Sequence, residues 1–288
     1  MPFDVRYCSS NYYHYRILPV INPNYEFLGI QDKNLFDVYF ADEELSFPEV
    51  LVKNIKGILF DEDMRMISKE QAIERILSVS EFVIKPSIET NSGKNVKKIS
   101  KANRETVENL FREYKQNFIV QKMVELRQLL AEFNETSVNT FRITTLFLNG
   151  KISVCTRILK IGGEGAFVDN FASGGLAIDL DEYGNLGKIA YNKRLEKIEI
   201  SKEVNFPFYQ DLENLAIAKH IKYFPHIGIA GWDLAVDLDG KPVCIEANLS
   251  SPHILGFQLS CGPLFGERTQ EVIDYVKKHK IENLKVVI

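Results

Sequence analysis

Asp233, Glu246 and Asn248 carry hard oxygen atoms within GWDLAVDLDGKPVCIEANLSS, residues 231–251, a segment otherwise patterned like packed sheet. Asp239-Gly240 is a two-residue hairpin signal. A turn there sets Asp233 opposite Glu246, with Asn248 two residues further along the same face. Trp232, Leu234, Val236, Val243, Ile245 and Ala247 then point the other way, because strand residues alternate faces. Two carboxylates opposed across a strand pair repel unless a cation or shared proton lies between them. Carboxylate and amide oxygens suit Mg²⁺ or Mn²⁺ rather than zinc, and Mg²⁺ is typically held by one or two carboxylates plus phosphate oxygens. A solvated face with incidental acids is the alternative.

A second hairpin, FRITTLFLNGKISVCTRILK at 141–160, turns on Asn149-Gly150. Regular pairing places Arg142 opposite Arg157, sharing a face with Thr144 and Cys155. Phe141, Ile143, Phe147, Ile152, Val154 and Ile158 form the apolar face. Opposed guanidinium groups call for an anion, and their forks match phosphate or carboxylate; two snorkelling surface arginines are the alternative. In EFVIKPSIETNSGKNVKKIS, residues 81–100, a short strand ends at Lys85-Pro86, and a polar stretch with Ser92-Gly93 follows. Such a turn can bring backbone amides to phosphates. Neither G-x-x-x-x-G-K-[ST] nor G-x-G-x-x-G is present. The strand Phe118–Val120 leads into polar Gln121-Lys122.

These residues, with SVNTFRITT (137–145), VDNFASGG (168–175) and GWDLAV...CIEAN in that order, resemble the ATP-grasp superfamily, and within it the sugar-transfer-associated group. The resemblance runs from about residue 50 to 270. It implies an α+β ATP-grasp fold with a small antiparallel lid domain beside a larger α+β domain, and ATP held between them. It further implies that Asp233, Glu246 and Asn248 bind the metal of Mg-ATP. Lys85 would contact the α and β phosphates, and Ser92-Gly93 would belong to the lid loop. Gln121 would stand at the adenine edge, with the backbone of Lys122, Met123 and Val124 as hinge, and Glu125 or Gln128 at the ribose. Arg142 and Arg157 would stabilise the transferring phosphate. Asp169, Asn170, Ser173, Gly174 and Gly175 would lie near the acceptor, with Ser250, Ser251 and His253 as further substrate-pocket candidates. The implied activity is an ATP-dependent carboxylate-amine ligase working on small molecules, with a uronic acid, another carboxylated sugar or an amino acid as substrate. A phosphotransferase and a non-catalytic nucleotide-binding module are the competing readings.

The 288 residues, 45% hydrophobic, can bury a substantial core in one or two domains. A net charge of −4 and the lack of a basic tract argue against nucleic acid. Cys8, Cys155, Cys244 and Cys261 lack C-x-x-C spacing and read as thiols of a reducing cytoplasm. No run approaches the ~20 apolar residues of a membrane span, and the N-terminal stretch lacks a signal peptide's apolar region. His14, His220 and His226 form no constellation and read as structural or solvated.

The elements that must position these groups follow from pattern. Residues 1–80 read as a short N-terminal segment, 81–125 as the lid, and 126–288 as the larger unit carrying both hairpins. Ser68 and Gln71 form a capping-box start for a helix whose spacing uses Ala72, Ile73, Ile76 and Leu77. Further helices are expected over 102–114, 210–223 and 267–278, and a turn at DEYGNLG (181–187). Tyr12, Tyr13, Tyr15 and Tyr25 could stack on a sugar or pack against the lid.

Overall fold

A computed structural model of the chain describes residues 4–23, 30–40, 43–88, 95–134, 136–163, 165–166, 169, 171, 174–250, 252 and 254–279. Two antiparallel sheets dominate it, as the α+β expectation requires. The smaller has the order β2-β1-β5-β3-β4, with β1 at Val50–Ile55, β2 at Ile58–Phe60, β3 at Glu81–Pro86, β4 at Lys97–Ser100 and β5 at Phe118–Lys122. It draws in residues 50–60 from before the boundary expected at 81. One face is covered by the helices Lys69–Leu77 and Arg104–Tyr114, which bury Ala72, Ile73, Ile76, Val107 and Leu110 against Val52, Phe82, Ile84 and Val120. The first helix starts where its capping box predicts. The Gln71 amide donates to Ser68 Oγ at 3.1 Å, and the Ser68 amide to Gln71 Oε1 at 2.8 Å.

The larger sheet runs β10-β9-β8-β7-β6-β11-β12. Its strands are β6 (Thr140–Leu148), β7 (Lys151–Ile161), β8 (Leu176–Leu180), β9 (Leu186–Tyr191), β10 (Lys197–Glu199), β11 (Ile229–Val236) and β12 (Pro242–Asn248). The helix Tyr209–Tyr223 packs Leu212 and Ala216 on one face, against Phe141, Ile143, Leu159, Trp232 and Leu234. The opposite face divides along its strands. Leu146, Leu148 and Ile229 are covered by Tyr13, Ile17, Leu18 and Ile21 of the helical stretch 10–21 and by Val272 of the helix Thr269–Lys278. Ile158 and Ala177 of this face are covered by Phe257 of the helix Leu255–Cys261, and Thr140 lines the cleft toward the small sheet. Tyr13 therefore packs on the large sheet rather than the lid, while Tyr12 and Tyr15 are exposed; Tyr25 lies outside the described residues.

Both hairpins depart from regular pairing. The Asn149-Gly150 turn forms as expected, both residues having positive φ, 51° and 72°, and Leu148 pairs with Lys151. Between Thr144 and Thr145 the register shifts, leaving Cys155 as an extra residue. Arg142 then pairs with Ile158 and Arg157 with Ile143, so the two arginines lie on opposite faces, not side by side. In the other hairpin the turn spans three residues, 238–240: the Asp237 amide donates to Lys241 O at 3.0 Å, and Gly240 takes the left-handed φ of 84° such a turn needs. A bulge at Ile245 adds one residue and restores the expected pairing of Asp233 with Glu246. It also turns Ile245 off the core face, where Cys244 packs instead.

Candidate active site

The cleft between the inner faces of the two sheets opens to solvent and spans about 530 Å³ with its open part included. Pro48, Val83, Val96, Met123, Val124, Val138 and Ile245 give it apolar walls; Lys85, Gln121, Lys122, Thr140 and Asp169 supply its polar groups. Lys85 is there because β3 turns its odd-numbered residues inward while Phe82 and Ile84 enter the core. Gln121 is buried and donates to the Pro48 carbonyl at 3.2 Å. Lys122 pairs with Glu49 at 2.6 Å.

A charged cluster lies on the adjoining sheet surface. Arg142 clasps Asp233 with two hydrogen bonds of 2.6 Å, Nε to Oδ1 and Nη2 to Oδ2, and its guanidinium lies 5.6 Å over the Phe257 ring. Lys160 Nζ bridges Asp233 at 3.1 Å and Asp169 at 3.2 Å. Asn248 donates to Asp233 Oδ2 at 3.2 Å, and Thr140 donates to Asp169. Burial pushes the Asp233 carboxyl up, but Arg142 and Lys160 outweigh it and hold it at about 2. For Asp169, burial prevails over the pull of Lys160, and its carboxyl sits above the usual range. Glu246, across from Asp233, is more open and pairs with Lys33 at 3.0 Å. Burial, and after it nearby Lys33, lower the Lys85 ammonium while Glu246 opposes them, and the net value is about 8.

Asp233, Glu246 and Asn248 sit on facing strands with hard-oxygen donors, and that chemistry fits Mg²⁺. Among the described residues, no cluster of three or more His, Cys, Asp or Glu side chains is placed to hold a metal, so a metal here would draw further oxygens from its substrate. A carboxylate offers about four lone-pair sites, and those of Asp233 already meet Arg142, Lys160 and Asn248. Glu246 is the donor with room.

The structure thus brings together Lys85, Gln121, Lys122, Met123, Val124, Arg142, Asp169, Asp233, Glu246 and Asn248. It does not bring Arg157 to them. The Cys155 bulge turns Arg157 to the opposite face, where it pairs with Glu213 of the helix Tyr209–Tyr223 at 2.6 Å. Glu125 and Gln128 are exposed and are not among the residues lining the cleft. Gly174 and Gly175 precede β8, with Gly174 against the backbone of Gly163, and Ser250 is exposed after β12. Ser92, Gly93, Asn170, Ser173, Ser251 and His253 lie outside the described residues. Sequence reading missed Lys33, Lys160 and Thr140. Lys160 shares a strand face with Ile158, a signal concealed by treating β7 as regular; Lys33 has no spacing signal at all.

Among solved structures, D-cycloserine synthetase DcsG matches with 16% identity and a TM-score of 0.52, over 90% of this chain and 74% of that one. D-alanyl-alanine synthetase A from Vibrio cholerae O1 biovar eltor str. N16961 matches at 11% and 0.51, over 86% and 64%. L-amino acid ligase from Bacillus licheniformis matches at 16% and 0.45, over 82% of this chain and only 43% of its own length. No curated protein matches by sequence. Two sheets closing on a cleft in this way define an ATP-grasp fold, shared with the first two of these structures. The chain belongs to the sugar-transfer associated ATP-grasp family, whose model matches residues 13–274.

Proposed function

We propose that the chain binds Mg-ATP in the cleft and joins a carboxylate to an amine through an acyl phosphate. The observation carrying this reading is the meeting of four cations, Lys33, Lys85, Arg142 and Lys160, with three carboxylates at one end of an apolar cleft. The excess positive charge suits a polyphosphate. Adenine would lie between Ile245 and Val83, its edge against the 121–124 backbone, and Lys85 and Lys33 would meet the phosphates. Mg²⁺ or Mn²⁺, held by Glu246 and Asn248 beside the already paired Asp233, would neutralise phosphate charge when bound. Arg142 and Lys160 would stabilise charge on the migrating phosphoryl group. A carboxylate oxygen attacks the γ-phosphorus and ADP leaves. An amine then attacks the acyl carbon, phosphate leaves, and the proton lost by the amine passes to solvent.

The substrate in this proposal is a carboxylated sugar or amino acid used in polysaccharide biosynthesis in the cytoplasm. No helix among the described residues is long and apolar enough to cross a membrane. The test is product mass analysis of purified protein with Mg-ATP and panels of carboxylates and amines, with hydroxylamine as a trap. An amide and a hydroxamate are expected. A stable phosphorylated acceptor without hydroxamate would make the protein a phosphotransferase.

A further inference from the structure

We propose that Asp169 is the residue that reads the ribose of the bound nucleotide, accepting hydrogen bonds from its 2′- and 3′-hydroxyls. The inference rests on the cleft being a nucleotide site, whose lining does not include the exposed Glu125 and Gln128.

Asp169 lines the cleft with Met123, Val124 and Val138 on one side and is tied through Lys160 to Asp233 on the other. It therefore stands between the apolar walls suited to a base and the charged cluster suited to phosphates, where a nucleotide carries its sugar. Asp169 is the sole carboxylate among the described residues lining the cleft. A carboxylate aimed at phosphate oxygens is repelled, whereas a cis-diol presents two donors at a spacing that two carboxylate oxygens can accept together. Oδ1 of Asp169 meets Lys160 and Oδ2 accepts from Thr140, which leaves about two of its four lone-pair sites unused. These two contacts also fix the carboxylate's orientation, and the Thr140 hydroxyl, donating to Asp169, keeps its own oxygen available as an acceptor.

The experiment uses the full chain with Mg²⁺ and compares calorimetric affinities for ATP, 2′-deoxy-ATP and 3′-deoxy-ATP in wild type, Asp169→Ala and Asp169→Asn. Hydrogen bonds to a charged acceptor make each deoxy analogue roughly tenfold weaker for wild type. In Asp169→Ala that ratio falls to about one, whatever happens to ATP affinity itself, and Asp169→Asn, with one acceptor oxygen and no charge, is intermediate. A role limited to holding Lys160 would weaken all three nucleotides alike and preserve the ratio, overturning the inference. So would wild type that binds ATP without discriminating, or variants that melt normally but bind no nucleotide. Wild type that binds no adenine nucleotide would instead defeat the functional proposal on which this one stands.

Discussion

At the scale of single residues, the two arginines that a regular hairpin would pair have different work. Arg142 sits in the charged cluster, 6% exposed, with Asp233, whereas Arg157 holds Glu213 on the far face of the sheet. Arg142→Ala removes positive charge where charge would develop during phosphoryl transfer, a contact worth about 2.7–4 kcal/mol in comparable cases. Turnover should fall roughly a hundred- to thousandfold in steady-state assays. Arg157→Ala should leave turnover within about twofold and lower stability in urea by about 1–3 kcal/mol, because Glu213 is left buried without its partner. Large loss of turnover in Arg157→Ala, with stability unchanged, would place that arginine back at the reaction.

At the scale of elements, the helix Tyr209–Tyr223 is locked to β6 by His220, which is fully buried. Its Nδ1 lies 2.7 Å from the Thr145 hydroxyl and its Nε2 2.8 Å from the Ile227 carbonyl, the arrangement of a neutral ring. Burial lowers its pKa to about 4. The unfolded chain then takes up a proton near pH 6.5 that the folded chain refuses until about pH 4. Stability is full above pH 6.5 and is lost as pH falls through that window, by about 3 kcal/mol. Urea unfolding at a series of pH values should show this slope in wild type and a flatter one in His220→Gln. What was legible in the sequence divides along the same elements. The capping box, both turn positions and Ala72, Ile73 and Ile76 of one helix face, though not the exposed Leu77, were readable because each is encoded within a few residues. The register was not, since a bulge leaves no mark in alternation. At Ile245 the bulge offsets the longer turn, and the Asp233–Glu246 pairing survived. At Cys155 nothing offsets it, and every face assignment beyond it in β7 inverted. Lys160 was concealed by the same bulge, and Lys33 reaches the cluster through tertiary packing, which local spacing does not encode.

At the scale of the whole molecule, residues 33–40 tie the two sheets together. Phe36 and Phe40 enter the core of the large sheet, with the Phe40 ring 4.9 Å from that of Phe224. Toward the small sheet, Asn34 donates to the Asn54 carbonyl at 2.9 Å, the Lys33 amide donates to the Ser87 carbonyl at 2.9 Å, and Asp37 pairs with Lys53 at 2.7 Å. The Lys53 side chain is 0% exposed and that of Asp37 is 26% exposed. Asp37→Ala therefore strands a buried ammonium and should cost about 3 kcal/mol or more, while Lys53→Met leaves a carboxylate that water can reach and should cost less. Thermal and urea unfolding of the two variants would show the order, and a costlier Lys53→Met would contradict it.

This tether also brings Lys33 beside Lys85 and Glu246, so the cleft depends on both sheets and on the segment joining them. The most direct test is calorimetric titration of wild type and Lys85→Ala with Mg-ATP and with adenosine. The account predicts one ATP bound per wild-type chain, at least tenfold weaker ATP binding in Lys85→Ala, and adenosine affinity unchanged between the two. Absence of ATP binding by wild type, or equal weakening of ATP and adenosine in the variant, would contradict it.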